Sequence, residues 1–181
     1  MTGRLVILSG PSGVGKDTVI DAWKARDPRV TRVIAYTTRA PRAGEKDGVD
    51  YHFVSVDQFL ECANAGEFLE AKEVHGHHYA TPLKDMNALL EAGKVAVLKI
   101  DVQGALTAMA LRPDATSVFL LPPDGHELAR RLRDRGTDDE DTIARRLENA
   151  KAELALAERY QHRIVNDSVD AVVEKLVSLT G

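Results

Sequence analysis

The chain predicts an α/β fold built on a parallel sheet flanked by helices, on three observations. Short apolar runs at residues 5–8, 95–100, 118–121 and 163–165 alternate with helical patterns at 16–26, 82–92, 102–111, 124–134, 138–159 and 169–179. A glycine-rich turn joins the first run to the first helix, and one segment, residues 33–80, departs from the rhythm. Right-handed crossovers between parallel strands bring the strand ends, and any ligand, to one side of the sheet.

The first strand and helix carry the strongest motif. Gly10-Pro11-Ser12-Gly13-Val14-Gly15-Lys16-Asp17 follows the apolar run and matches the phosphate-cradling loop everywhere but the last position, where Ser or Thr is expected. In such a loop glycines let several backbone N–H groups point into one concavity, the following helix presents its positive end, and the lysine reaches the outer phosphates. Val19, Ile20 and Trp23 recur at helical spacing behind Lys16, so the turn has the strand before and helix after that this mechanism needs. The bland alternative is a glycine-rich strand-to-helix turn with no ligand. Asp17 stands where a hydroxyl would ligate Mg²⁺.

The departing segment reads as an inserted small lobe of antiparallel strands. Polar-alternating pieces lie at 51–54 and 68–75, a helix near 56–65, and turn residues at Gly44, Gly48, Gly66 and Gly76. Arg39 and Arg42 flank Pro41 in a stiff turn, where two guanidiniums can aim at one anion. Tyr51 and Tyr79 add phenolic donors to the same anion, or else are plain aromatic strand residues. Glu70 and Asp101 are carboxylates able to accept paired hydrogen bonds from a purine edge; taken alone they read as ordinary exposed acids. His75, His77 and His78 are hairpin or surface residues, because strand alternation points His77 away from His78 and no carboxylate spacing completes a metal site.

The later helices carry a second basic group. Arg130, Arg131, Arg133 and Arg135 precede Gly136, and Arg145 and Arg146 follow on the next helix. Arg131 and Arg135 share a face by their spacing of four. Two arginine-bearing helices joined at a glycine suit a lid that brings positive charge onto transferring phosphates, against the alternative of a solvated amphipathic pair. The acidic run at 138–141 is read as a helix start, with Thr137 and Glu140 as a capping box, rather than as a metal site. Ile143, Leu147, Ala150, Leu154 and Ala157 then keep one helical face apolar.

With 181 residues, 44% hydrophobic and 29% charged, the chain has enough apolar material for the core of one domain. A net charge of -4 argues against sequence-independent nucleic-acid binding. No apolar run is long enough to span a bilayer and no secretion signal opens the chain, so a cytoplasmic protein without membrane partners is expected. Cys62 is the only cysteine, which excludes an intrachain disulfide and a cysteine-based zinc site.

Taken in order, residues 9–16, Thr37-Thr38-Arg39 with Pro41-Arg42, Asp50-Tyr51, Phe68-Leu69-Glu70, His78-Tyr79, Ile100-Asp101-Val102-Gln103-Gly104 and Arg135-Gly136-Thr137 resemble the guanylate kinase family across nearly the full chain. The resemblance implies a P-loop kinase core (1–33, 81–125 and 148–181), a GMP-binding lobe (34–80) and a helical lid (126–147), with ATP and GMP as substrates and Mg²⁺ accompanying ATP. It implies that Gly10, Pro11, Ser12, Gly13, Val14, Gly15, Lys16, Asp17 and Thr18 bind the ATP phosphates and that Asn166 lies at the adenine. It further implies that Arg39, Arg42, Tyr51 and Tyr79 hold the GMP phosphate, that Glu70, Thr81 and Asp101 read guanine, and that Lys16, Arg39, Arg131, Arg135 and Arg146 serve transfer.

Four positions depart from the family pattern: Asp17, Lys99 in place of the first acid of an Asp-Ile-Asp, Ala35 in place of a guanine-contacting Ser, and Ala80 in place of a common Gly. Loss of one neutral hydrogen bond at Ala35 weakens guanine reading by roughly 0.5 to 1.5 kcal/mol. Asp17 and Lys99 are expected to pair within about 4 Å, with Asp17 meeting Mg²⁺ directly or through water when ATP binds. Two other activities fit parts of the pattern. Kinases of phosphorylated sugars such as ribose 1,5-bisphosphate resemble the family and often carry Asp after the loop lysine, and guanylate-kinase-like modules of scaffold proteins bind phosphopeptides without catalysis.

Overall fold

Leu5, Val6, Ile7 and Leu8 are apolar in succession because β1 (Arg4–Ser9) is covered on both faces, as the central strand of a parallel sheet must be. In the computed structural model, which describes residues 2–134, 136 and 139–181, β1 pairs in parallel with β7 (Val95–Lys99) on one side and β8 (Thr116–Leu121) on the other. The edges are β2 (Val30–Arg32) and β9 (His162–Val165), giving the order β2-β7-β1-β8-β9. Val6 and Leu8 face α1 (Lys16–Arg26) and α7 (Val169–Thr180), packing with Val19, Ile20, Trp23, Val172 and Leu176. Leu5 and Ile7 face the other way, toward Met86 of α3 (Leu83–Glu91) and Val102, Ala105 and Ala108 of α4 (Val102–Leu111). The alternation of one strand thus builds two core layers.

The inserted segment forms a second sheet, ordered β4-β3-β6-β5, from β3 (Tyr36–Thr37), β4 (His52–Phe53), β5 (Phe68–Val74) and β6 (His77–Pro82). It is mixed rather than wholly antiparallel: β6 runs antiparallel to β3 and β5, but β3 and β4 are parallel. The chain between β3 and β4 is a long excursion through the Arg39–Pro41–Arg42 turn, long enough to cross back and enter β4 in the direction of β3. The β5–β6 hairpin closes at His75 (φ 52°) and Gly76 (φ 80°), where two successive left-handed residues match the twist of the flanking strands. His75 and His77 therefore belong to a hairpin, as expected. A full capping box, Ser55 with Gln58, starts α2 (Val56–Asn64).

The last two helices before β9 are α5 (Gly125–Asp134) and α6 (Glu140–Leu154). The Thr137–Glu140 capping box is not the one used. Asp139 caps α6, accepting from the Thr142 N–H at 2.7 Å, and its charge also complements the helix dipole; Thr137 lies outside the described residues. The helical pattern expected to run to residue 159 ends at Leu154 and resumes as a single tight turn at Ala157–Arg159. Ile143, Leu147 and Ala150 pack as a cluster of their own, while Leu154 and Ala157 join the layer under Leu5.

Candidate active site

The phosphate loop leaves the carboxyl end of β1 and reverses into α1 with Gly13 at φ 85° and Gly15 at φ 97°, conformations an L side chain resists. Space is as limiting as torsion: a Cβ at Gly10 would meet the Leu120 carbonyl oxygen at 2.8 Å. Lys16 lies back across the loop, its Nζ donating to the carbonyls of Gly10 (2.6 Å) and Pro11 (3.2 Å). Burial, then the neighbouring Lys99 ammonium, push the Lys16 amine down to about 8. The Val14 carbonyl accepts from Asn166 Nδ2 at 2.7 Å and from Arg131 Nη1 at 3.1 Å, so the residue that follows β9 and one on α5 both brace the loop through one oxygen.

Asp17 and Lys99 do pair. Lys99 ends β7, next to Leu8 of β1 in the ladder, and its Nζ donates to Asp17 Oδ1 at 2.8 Å. Arg32 Nη1 approaches the same oxygen at 3.5 Å, and Arg32 also donates to the Asp50 carbonyl and lies over the Tyr51 ring, 5.6 Å from its centre. Arg32 carries no local signal in the sequence, because β2 is three residues long and its pairing is set by β7, more than sixty positions away in the ladder Val30 to Val95. Among the described residues no group of three or more His, Cys, Asp or Glu is arranged to hold a metal alone. One carboxylate beside a phosphate loop does suit Mg²⁺, which is commonly held by one or two carboxylates, substrate phosphates and water.

Across the cleft, Arg39 is buried and makes a forked pair with Glu45, at 2.8 and 3.0 Å. It lies over the rings of Tyr51 (5.3 Å) and Phe53 (5.9 Å). Its Nε is buried with no hydrogen-bond partner among the described residues. Glu45 Oε1 also accepts the Arg42 N–H at 2.7 Å, so one acid orders both arginine positions. The Arg39 hydrogen bonds, opposed in part by desolvation, hold the Glu45 carboxyl down to about 2. Tyr51 and Tyr79 meet edge to face at 6.0 Å.

Glu70 is not an ordinary exposed acid. It is buried, accepts the Thr81 hydroxyl at 2.9 Å, and lies so close to α4 that a Cβ at Gly104 would stand 2.8 Å from its Oε2. Burial raises its carboxyl above the usual range, with the Thr81 hydrogen bond working the other way. Asp101 caps α4 through the Gln103 N–H at 3.3 Å and faces the same cavity, of about 300 Å³. Arg146, Asn149 and Glu153 close that cavity from α6. Their spacing puts them on one helix face, so Asn149 and Glu153 carry a periodic signal in the sequence beside Arg146. Burial, then Asp101, raise the Glu153 carboxyl to about 7. A second cavity runs between the phosphate loop and Arg39, lined by Gly13, Gly15, Asp17 and Thr18; Lys16, Arg42, Tyr51 and Lys99 border both. Arg135 lies outside the described residues.

A glycine-built loop at the central strand of a parallel sheet, opposite an arginine-bearing wall carried on an inserted segment, makes this a P-loop kinase. The guanylate kinase family model matches residues 2–180, and the chain belongs to that family. It is 46% identical to a guanylate kinase of Frankia casuarinae, over 97% of this chain and 95% of the relative. Identity to a guanylate kinase of Nitratidesulfovibrio vulgaris is 47%, over 97% of this chain and 84% of the relative. The crystal structure of guanylate kinase from Anaplasma phagocytophilum superposes with a TM-score of 0.79 at 31% identity, covering 99% of this chain and 85% of that one.

Proposed function

We propose that the protein transfers the γ-phosphoryl of MgATP to GMP, giving ADP and GDP for purine nucleotide metabolism in the cytoplasm. The observation that carries this reading is the cavity in which buried Glu70, fixed by Thr81, faces Asp101 while opening toward Arg42 and Lys16. A purine presents paired donors that such carboxylates accept, and its phosphate then points toward the arginines. A sugar bisphosphate has no use for a buried acid at that depth, and a phosphopeptide module has no use for the phosphate loop.

In this reading, the loop amides from Gly10 to Thr18 and Lys16 hold the donor phosphates, and Lys16 exchanges its two carbonyl partners for phosphate oxygens. Asn166 and Arg131, by fixing the Val14 carbonyl, keep the loop in shape from the side where adenine would lie. Arg39, Arg42, Tyr51 and Tyr79 hold the acceptor phosphate, and Glu70, Thr81 and Asp101 read the base. Arg131, Arg135 and Arg146 bring charge from the lid (126–147) as it closes with the lobe (34–80) over the core. Asp17 would hold Mg²⁺ directly or through water, and the ion when bound would supply further neutralisation of the donor phosphates. A GMP phosphate oxygen attacks the γ-phosphorus in line, the bond to the β-phosphate oxygen breaks, and ADP leaves with the electron pair; positioning and charge supply the rate.

No described helix is long and apolar enough to cross a membrane, and the net charge of -4 speaks against a nucleic-acid partner. The test is ADP release measured with GMP, dGMP, AMP, UMP, CMP and ribose 1,5-bisphosphate as acceptors. GMP is expected to support the highest kcat/KM. Faster turnover of the sugar, or no GMP-dependent turnover together with phosphopeptide binding, would overturn the assignment.

A further inference from the structure

Three cations, Lys16, Lys99 and Arg32, gather at the junction of the two cavities, and Asp17 is the carboxylate on which Lys99 and Arg32 converge. The two partners of the closest pair differ in freedom. The Lys99 side chain is 15% exposed and anchored at the end of a core strand, whereas the Asp17 side chain is 66% exposed. Lys99 borders both the cavity reaching Glu70 and the cavity running from the phosphate loop to Arg39. Its ammonium therefore stands where the two cavities meet.

We propose that Lys99 is a catalytic residue of phosphoryl transfer that rests on Asp17 in the free protein and moves to the oxygens of the transferring phosphoryl group when Asp17 turns to Mg²⁺. The inference rests on the reaction proposed above. A divalent cation at Asp17 removes the lysine's partner and repels its ammonium, while the substrates supply anionic oxygens beside it. The lysine keeps its proton throughout: it neutralises charge on the phosphoryl oxygens as the bond from the acceptor forms and the bond to the β-phosphate oxygen breaks. Six basic side chains and three acidic ones line the second cavity, which leaves the junction short of negative charge. An anion at the junction answers that shortage.

The test uses the full chain and a bridging probe, adenosine and guanosine joined by five phosphates, with binding followed by calorimetry in Mg²⁺ and in chelator. Wild type, K99M, K99R and D17N are compared, with thermal unfolding as a check on folding. K99M is expected to bind the bridging probe about tenfold more weakly while ATP and GMP separately change by less than about threefold, and to lose about tenfold or more in kcat with KM little altered. K99R restores most of both. D17N, which frees the ammonium, binds the probe more tightly than wild type in chelator. A structural ion pair would weaken binding in K99M and D17N alike, and that result overturns the proposal. So does wild-type kcat in folded K99M. Absence of GMP-dependent turnover in the wild type instead overturns the underlying reaction.

Discussion

The phosphate loop and the arginine turn both carry cations into one cavity, but they restrain them with different partners. Lys16 rests on two neutral carbonyls of its own loop, whereas Arg39 is clamped by the carboxylate of Glu45. A carbonyl is a weak competitor for an ammonium, so phosphate oxygens displace it readily, and the lysine is a moving part. A forked carboxylate is a strong competitor, so Arg39 stays in place on Glu45. The phosphate loop is built to exchange partners; the arginine turn is built to hold still.

The largest effect is expected where partner exchange is abolished. Lys16→Met should lower kcat about a thousandfold in the coupled ADP assay while the protein still folds. Retention of activity within tenfold would mean that the moving cation is not Lys16. Next, Glu45→Gln should release Arg39 and raise the KM for GMP about tenfold or more, since hydrogen bonds to charged groups are worth about 1.5–3 kcal/mol. The KM for ATP should stay put; a parallel rise in both would erase the contrast between the two sides. Thr81→Val leaves the Glu70 carboxyl without its hydroxyl donor and should cut the preference for GMP over AMP about fivefold, close to one neutral hydrogen bond.

The smallest effect concerns pH. Glu153 is protonated below about 7 in the free protein and ionised above, adding a negative charge beside Asp101. The value is raised from the unfolded range, so the ionised form is the disfavoured one in the folded cavity, and kcat/KM for GMP should fall about twofold as pH rises through 7. Glu153→Gln should flatten that profile, and an unchanged inflection would assign it elsewhere.

The legible parts were those whose reasons are local. β1 and its loop announce themselves because two covered faces require consecutive apolar residues and two left-handed positions require glycine. β2 and β3, three and two residues long, owe their existence to strands distant in sequence, and no window of residues shows that. Arg32 was lost with β2. Glu45 sits three residues after Arg42 in plain view, yet its clamp on Arg39 depends on how the turn folds. Glu70 looked exposed because its cover comes from Gly104, a residue on another element whose missing side chain makes the room.

The order of strands also governs how this chain can fold as it is made. β1 emerges first but is the middle of the sheet, and its neighbours β7 and β8 begin only at Val95 and Thr116. Until both have been synthesised, the strand that carries the phosphate loop has open edges and no core on which to set its glycines. The loop motif is thus complete in the growing chain before its strand has both neighbours, and a chain halted before Thr116 would carry the whole motif with β1 still unpaired along one edge.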